Sequence, residues 1–223
     1  MAASAPVLEV ATQHSPIYLV SDVARFVRLP YQTAYSWVKL IPGRQPELPP
    51  SAGLNFLDLI SILVIGKLED IGVNPRRIRR AEKFLLDRYG PYPFSQRVIW
   101  TDGKHVFFAP DSPLREEVPE KFLISANSGG QQAFVHLLQQ YLQRVEYGKQ
   151  GLAIRWTPTN KVELDPSRQF GQPCVRNTRV LTESIYSLHV AGDTEQTIIR
   201  AYDLSREEVR AALAWEKSLR KAA

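Results

Sequence analysis

Apolar positions recur along this chain at spacings that change from stretch to stretch, and the changes divide it into elements. From Ile17 the pattern YLVSDVARFVRLPYQTAYSWVK predicts two short helices around a Leu29-Pro30 turn, with Ser21 and Asp22 as caps and Pro42-Gly43 as the stop. Ala24, Leu29, Ala34 and Trp37 fall inward; Tyr31, Gln32, Tyr35, Ser36 and Lys39 fall outward. Phe56–Ile71 reads as a helix with Phe56, Leu59, Ile60, Leu63 and Leu68 on its buried side. Gly72 breaks it, and Asn74-Pro75 starts the next helix, proline being pre-shaped for a first helical position. In Ser95–Phe108, β-branched and aromatic residues flank Asp102-Gly103, a type I′ hairpin pair. Gln131–Glu146 sets Phe134, Leu137, Leu138, Tyr141, Leu142 and Val145 at helical spacing. Leu152–Trp156 and Lys161–Leu164 read as two short strands around Thr157–Asn160, joining the hairpin in one small sheet.

Three helical patterns follow in a row. Thr182 opens the first, with Ile185, Leu188 and His189 in register, and Gly192 ends it. Asp193 opens the second in capping-box relation to Gln196, with Ile198, Ile199 and Tyr202 inside. Ser205 opens the third with Glu208 as its box partner and Val209, Ala212 and Leu213 as its stripe. Helices this short are marginal alone and must pack on one another. Three with tight turns have the geometry of a helix-turn-helix module, and a bundle that only packs fits the same pattern. The expected fold is mainly α with a small antiparallel β-sheet. Its expected divisions are a mobile tail (1–16), an N-terminal helical domain (17–90), a hairpin and amphipathic helix (91–160) and a C-terminal three-helix module (161–223).

Composition narrows the function. Net charge is +5, a mild excess that suits a polyanionic partner without requiring one. Six of the residues in Gly72–Gly90 are basic: Arg76, Arg77, Arg79, Arg80, Lys83 and Arg88. Arg76, Arg80 and Lys83 share a helical face with Arg77 beside it, either a set of phosphate contacts or a solvated face. Cys174 is the only cysteine, so no disulfide forms within the chain and zinc-finger metal sites are excluded. With no secretory signal and no apolar run long enough to span a bilayer, a cytoplasmic protein is expected. A phosphate-binding glycine loop, a paired-histidine zinc motif and a Gly-x-Ser-x-Gly elbow are all missing. The expectation is a non-enzyme without metal or cofactor.

Two resemblances sharpen this. Val23-Ala24-Arg25, Thr33 to Trp37, Asp58-Leu59 and Gly72 with Ile78 make Ile17–Tyr89 resemble the winged helix-turn-helix domain of MerR-type regulators. That layout implies a DNA-binding face of Tyr31, Gln32, Thr33, Tyr35, Ser36 and Lys39. Arg44 in the wing (Ile41–Leu54) and Arg76, Arg77 and Arg80 would supply phosphate contacts. The family usually carries Arg at two outward positions that are Tyr35 and Ser36 here, so base specificity does not carry over. In the C-terminal part, Val162–Pro166, Gly171–Pro173, Asn177–Val180, Thr182, Gly192, Tyr202, Leu204-Ser205 and Val209–Trp215 resemble a compact bacterial family often found as the antitoxin half of toxin–antitoxin operons. Asn177 stands where that family usually has Gly, and Asp203 where it usually has Pro. Together the chain looks like a VapB-type antitoxin of a long class. The resemblance implies a homodimer that binds operator DNA and inhibits a PIN-domain ribonuclease toxin, whose acidic site a guanidinium could fill. The candidates are Arg176, Arg179, Arg210 and Arg220. A free-standing MerR-like regulator without a toxin, and an adaptor binding only protein, remain as alternatives.

Overall fold

The computed structural model describes residues 12–39, 53–70, 72, 74–76, 78–79, 82, 86, 90–96, 99–101, 106–108 and 144–221. Arg44, Arg77, Arg80, the wing and residues 131–143 of the amphipathic pattern lie outside the described residues. The architecture is mixed α/β: six helices whose bounds lie wholly among the described residues, a four-stranded antiparallel sheet and a separate two-stranded ladder. Among the described residues no helix is long and apolar enough to cross a membrane.

Helix α1 (Val20–Val27) starts at Leu19, whose N–H donates to Asp22 Oδ2 at 3.0 Å. Asp22 thus acts from the third helical position rather than as the N-cap expected for Ser21 or Asp22. Arg28 ends the helix in the left-handed region (φ 59°), with Leu29 N–H closing on Ala24 O at 3.0 Å. Pro30 then caps α2 (Tyr31–Val38). The inward residues Ala24, Ala34 and Trp37 are buried, as the spacing predicts.

Helix α3 (Phe56–Asp70) opens on a reciprocal capping box, Asn55 N–H to Asp58 Oδ2 at 2.8 Å and Asp58 N–H to Asn55 Oδ1 at 2.9 Å. Its burial is not one-sided. Leu57, Ile62, Val64 and Ile65 are as covered as the expected face, because α1, α2, the strand Ala153–Thr159 and the turn Pro93–Ser95 wrap it. Its polar residues find partners inside: Ser61 Oγ lies 2.8 Å from Ser95 Oγ, which donates to Leu57 O. After Gly72 (φ 86°) the chain is helical again at Pro75, Arg76, Ile78, Arg79, Glu82 and Leu86, and Asn74 Oδ1 accepts the Arg76 N–H.

Strands β1 (Ile99–Thr101) and β2 (Val106–Phe108) pair antiparallel as expected, with Thr101 opposite Val106. The expected Asp102-Gly103 turn lies outside the described residues. The sheet runs β3 (Val145–Tyr147), β4 (Ala153–Thr159), β5 (Val162–Leu164), β6 (Cys174–Val175). Val145 and Glu146, expected at the end of the amphipathic helix, lie in β3, where Val145 pairs with Trp156. The β4–β5 hairpin closes with Thr159 opposite Val162, and β3 and β6 flank it in place of the β1–β2 ladder.

Helices α4 (Thr182–Val190), α5 (Glu195–Tyr202) and α6 (Arg206–Lys221) complete the chain. Gly192 (φ 103°) ends α4 and lets Asp193 N–H reach back to Leu188 O at 3.0 Å. Asp193 belongs to that closure, and Thr194 caps α5 by accepting from Thr197 N–H at 3.2 Å; the expected Asp193–Gln196 box does not form. The Ser205–Glu208 box does, with Ser205 N–H to Glu208 Oε2 at 2.8 Å and Glu208 N–H to Ser205 Oγ at 3.3 Å. The Ser205 N–H and the Ser205 hydroxyl, both donating to Glu208 Oε2, hold that carboxyl below its ordinary range.

Two buried clusters hold the fold. Val175, Ile185, Ile198, Leu204, Val209, Ala212 and Leu213 form the smaller one, inside the three-helix module. The larger runs from Tyr18 through α1–α3 into β4 and β5, and takes in Trp215 and Leu219 of α6. This core crosses the divisions expected near residues 90 and 160. Within the expected tail, Gln13 is buried and the His14 ring lies 5.5 Å from that of Tyr92.

Candidate functional site

The outer face of α2 has the expected composition but is partly engaged with itself. Tyr31, Gln32, Ser36 and Lys39 are exposed, and Thr33 and Tyr35 are half-buried. The Tyr31 and Tyr35 rings stack at 6.0 Å, 8° from parallel, and Lys39 Nζ sits 4.5 Å over Tyr35. The Ser36 hydroxyl donates to Thr33 O at 2.8 Å within the helix. Gln32 is thus the extended polar group most readily presented outward, and the exposed Lys39 is held over the Tyr35 ring. On the inner side Trp37 Nε1 donates to Glu69 Oε2 at 3.0 Å, and the Arg79 guanidinium lies 5.6 Å from the Trp37 ring. Arg79, not selected from the sequence for this face, therefore stands beside α2; Arg76 is exposed one turn earlier.

The four C-terminal arginines separate into two kinds. Arg210 pairs with Glu195 at 3.0 Å. Arg220 donates to both oxygens of Glu183 (2.9 and 3.0 Å) and to Glu216 Oε2 (2.9 Å), and lies 3.9 Å from the centre of the Tyr186 ring. Burial pushes the Glu216 carboxyl up, against hydrogen bonds from Thr182 and Arg220 that favour its charge. Arg220 is thereby built into the α4–α6 contact. Arg176 and Arg179 are exposed, and neither guanidinium makes an ion pair or hydrogen bond among the described residues.

Sequence reasoning passed over the group that holds those two in place. Glu163, in β5, is completely buried; its Oε1 accepts from Arg168 Nη1 at 2.6 Å and from Asn177 N–H at 3.1 Å. Arg155 bridges Glu146 (2.9 Å) and Asp165 (3.0 Å) and approaches Glu163 at 3.8 Å. Burial works against the Arg155 charge, but the Asp165 hydrogen bond and the three carboxylates outweigh it and raise its pKa. Asn177 adopts φ 62°, the left-handed turn expected of it in place of Gly. Asp203 has φ 53°, which proline cannot adopt, so the α5–α6 turn is not one a proline would make. Cys174 is buried and its thiol is pushed up to about 11, chiefly by burial, which removes it as a nucleophile at neutral pH. No group of His, Cys, Asp and Glu among the described residues is arranged to hold a metal ion.

Residues 162–215, which contain Glu163, Arg176, Arg179 and Arg210, match a family described as a protein of unknown function (DUF433). Along 221 residues the chain is 24% identical to a Mycobacterium tuberculosis protein named "Putative antitoxin VapB45", covering 89% of this chain and 92% of that one. The crystal structure of Rv2018 from Mycobacterium tuberculosis superposes with a TM-score of 0.68 at 23% identity, over 89% of this chain and 97% of that chain. At that identity the likeness is one of fold. Covering 89% of this chain, it extends well beyond the family-matched segment.

Proposed function

We propose that this chain is the antitoxin of a toxin–antitoxin pair, that it binds and neutralises a PIN-domain ribonuclease, and that it binds operator DNA as a homodimer to repress its own transcription. The observation that carries the reading is the likeness to a protein named as an antitoxin, which extends over nearly the whole of both chains. The family match in residues 162–215 supports it. The chemistry is occupancy rather than catalysis. A metal-dependent nuclease needs its carboxylate cluster open, and a guanidinium closes such a cluster well because it makes two parallel charge-assisted bonds. Arg176 and Arg179 are available for this, whereas Arg210 and Arg220 would first have to leave Glu195 and the Glu183–Glu216 pair. DNA would meet the outer face of α2, with Arg76 and Arg79 beside it.

Co-expression with the neighbouring gene product, followed by pull-down, tests the reading. A stable complex with a small nuclease is the expected result. Operator binding without any such complex would favour the free-standing MerR-like regulator, which rests on the α1–α2 face alone.

A further inference from the structure

Phe170 is the most exposed large apolar side chain among the described residues, at 78%. Its turn is also tied to the fold by hydrogen bonds on two sides. Gln169, Phe170 and Gly171 have φ 45°, 52° and 71°, three consecutive left-handed residues, two of them with side chains that disfavour it. The turn is pinned from below by Tyr18 Oη donating to Gly171 O at 2.8 Å, and a Cβ on Gly171 would lie 2.0 Å from that oxygen. It is pinned sideways by Gln169 Nε2 donating to Arg179 O at 2.9 Å. The second turn, bearing Arg176 and Arg179, closes through Val175 N–H to Val180 O (2.9 Å) and Thr178 Oγ1 to Val175 O (2.8 Å). Both turns hang on Glu163 Oε1, through Arg168 on one side and the Asn177 N–H on the other.

We infer that Phe170, Arg176 and Arg179 form the anchor that seats this chain on its protein partner, the phenyl ring entering an apolar pocket rimmed by carboxylates that take the two guanidiniums. This rests on the antitoxin reading and says which surface performs it. An aromatic side chain and unpaired arginines on stapled turns have the composition of an interface hot spot, with the ordering already done in the free chain. Charge complementarity selects an acidic partner surface. A second copy of this chain would bring like charges together, and duplex DNA offers no apolar pocket for the ring.

The test uses the full-length protein and the purified product of the neighbouring gene, kept inactive by withholding divalent metal so that its carboxylates stay intact. Affinity is measured by calorimetry for wild type, Phe170→Ala and the double variant Arg176→Lys with Arg179→Lys. Thermal melting shows that each is folded, which surface positions permit. Phe170→Ala should weaken binding roughly 30-fold, the scale of a hot-spot truncation, and the double lysine variant roughly tenfold although charge is kept. If wild type binds the nuclease and Phe170→Ala binds it equally well, the anchor is wrong while the antitoxin reading stands. If wild type does not bind it at all, both fall. Phe170→Ala turning a dimer into a monomer, or abolishing operator binding, with nuclease affinity unchanged, would assign the surface to a second copy or to nucleic acid and overturn the proposal.

Discussion

Glu163 shows how one side chain sets the geometry of two loops. With its carboxylate buried and bonded to Arg168 and to the Asn177 amide, its removal takes from Arg168 its nearest carboxylate and from the Asn177 N–H its acceptor. Glu163→Ala should lower stability by about 3 kcal/mol in urea unfolding, the scale of a broken buried pair. Glu82 carries the opposite kind of burden. Burial pushes its carboxyl from 4.5 up to about 7, with Arg79 pulling the other way. The folded chain then binds this proton more tightly than the unfolded one, so stability from this group is full below about pH 4.5 and is lost as pH rises through about 7. Glu82→Gln should stabilise the protein by up to about 3 kcal/mol near pH 8 and by almost nothing near pH 4. Equal gains at both would remove Glu82 as the titrating group. Neither residue was legible in the sequence. Glu163 sits in a strand that is buried on both sides, so no alternation marks it, and Glu82 reads as an ordinary helix-surface acid among arginines.

Elements were legible where local chemistry decides them. The Leu29-Pro30 turn, the Asn74-Pro75 start, the Ser205–Glu208 box and the β4–β5 hairpin each depend on residues a few positions apart. The Asp193 cap failed because Gly192 draws Asp193 into the end of α4, and two capping signals in adjacent positions compete for one start. The one-sided burial expected of α3 failed for another reason: Leu57–Ile65 is apolar at nearly every position, so periodicity selects no face. At this scale the α2 surface makes a sharp prediction. Gln32→Ala should change sequence preference on operator DNA, while Lys39→Ala should weaken all DNA about equally and flatten the salt dependence. Fluorescence anisotropy at two salt concentrations separates the two effects. Unchanged binding in both variants would remove α2 from the interface.

Over the whole molecule, the N-terminal helices and the family-matched module are joined where the sequence suggests a division. Trp215 of α6 meets Trp156 of β4 edge-on at 6.3 Å, and Arg28 at the end of α1 lies 5.4 Å from the Trp215 ring and donates to Ser218 Oγ at 2.9 Å. Contacts between residues so far apart leave no local signature in the sequence. Trp215→Ala should cost about 3–5 kcal/mol and lower a single cooperative unfolding transition. Two transitions, with only one displaced, would mean that the parts fold independently. This joining gives the antitoxin reading its mechanical sense, since a partner seated on the Phe170 turn touches a loop bonded to Tyr18 at the root of α1. The most direct test of the proposed antitoxin role is RNA cleavage by the product of the neighbouring gene, titrated with the full-length protein. Cleavage should fall in proportion to added protein and stop at a fixed molar ratio, as tight occupancy of the nuclease requires. Cleavage that continues undiminished in molar excess of folded protein would contradict it.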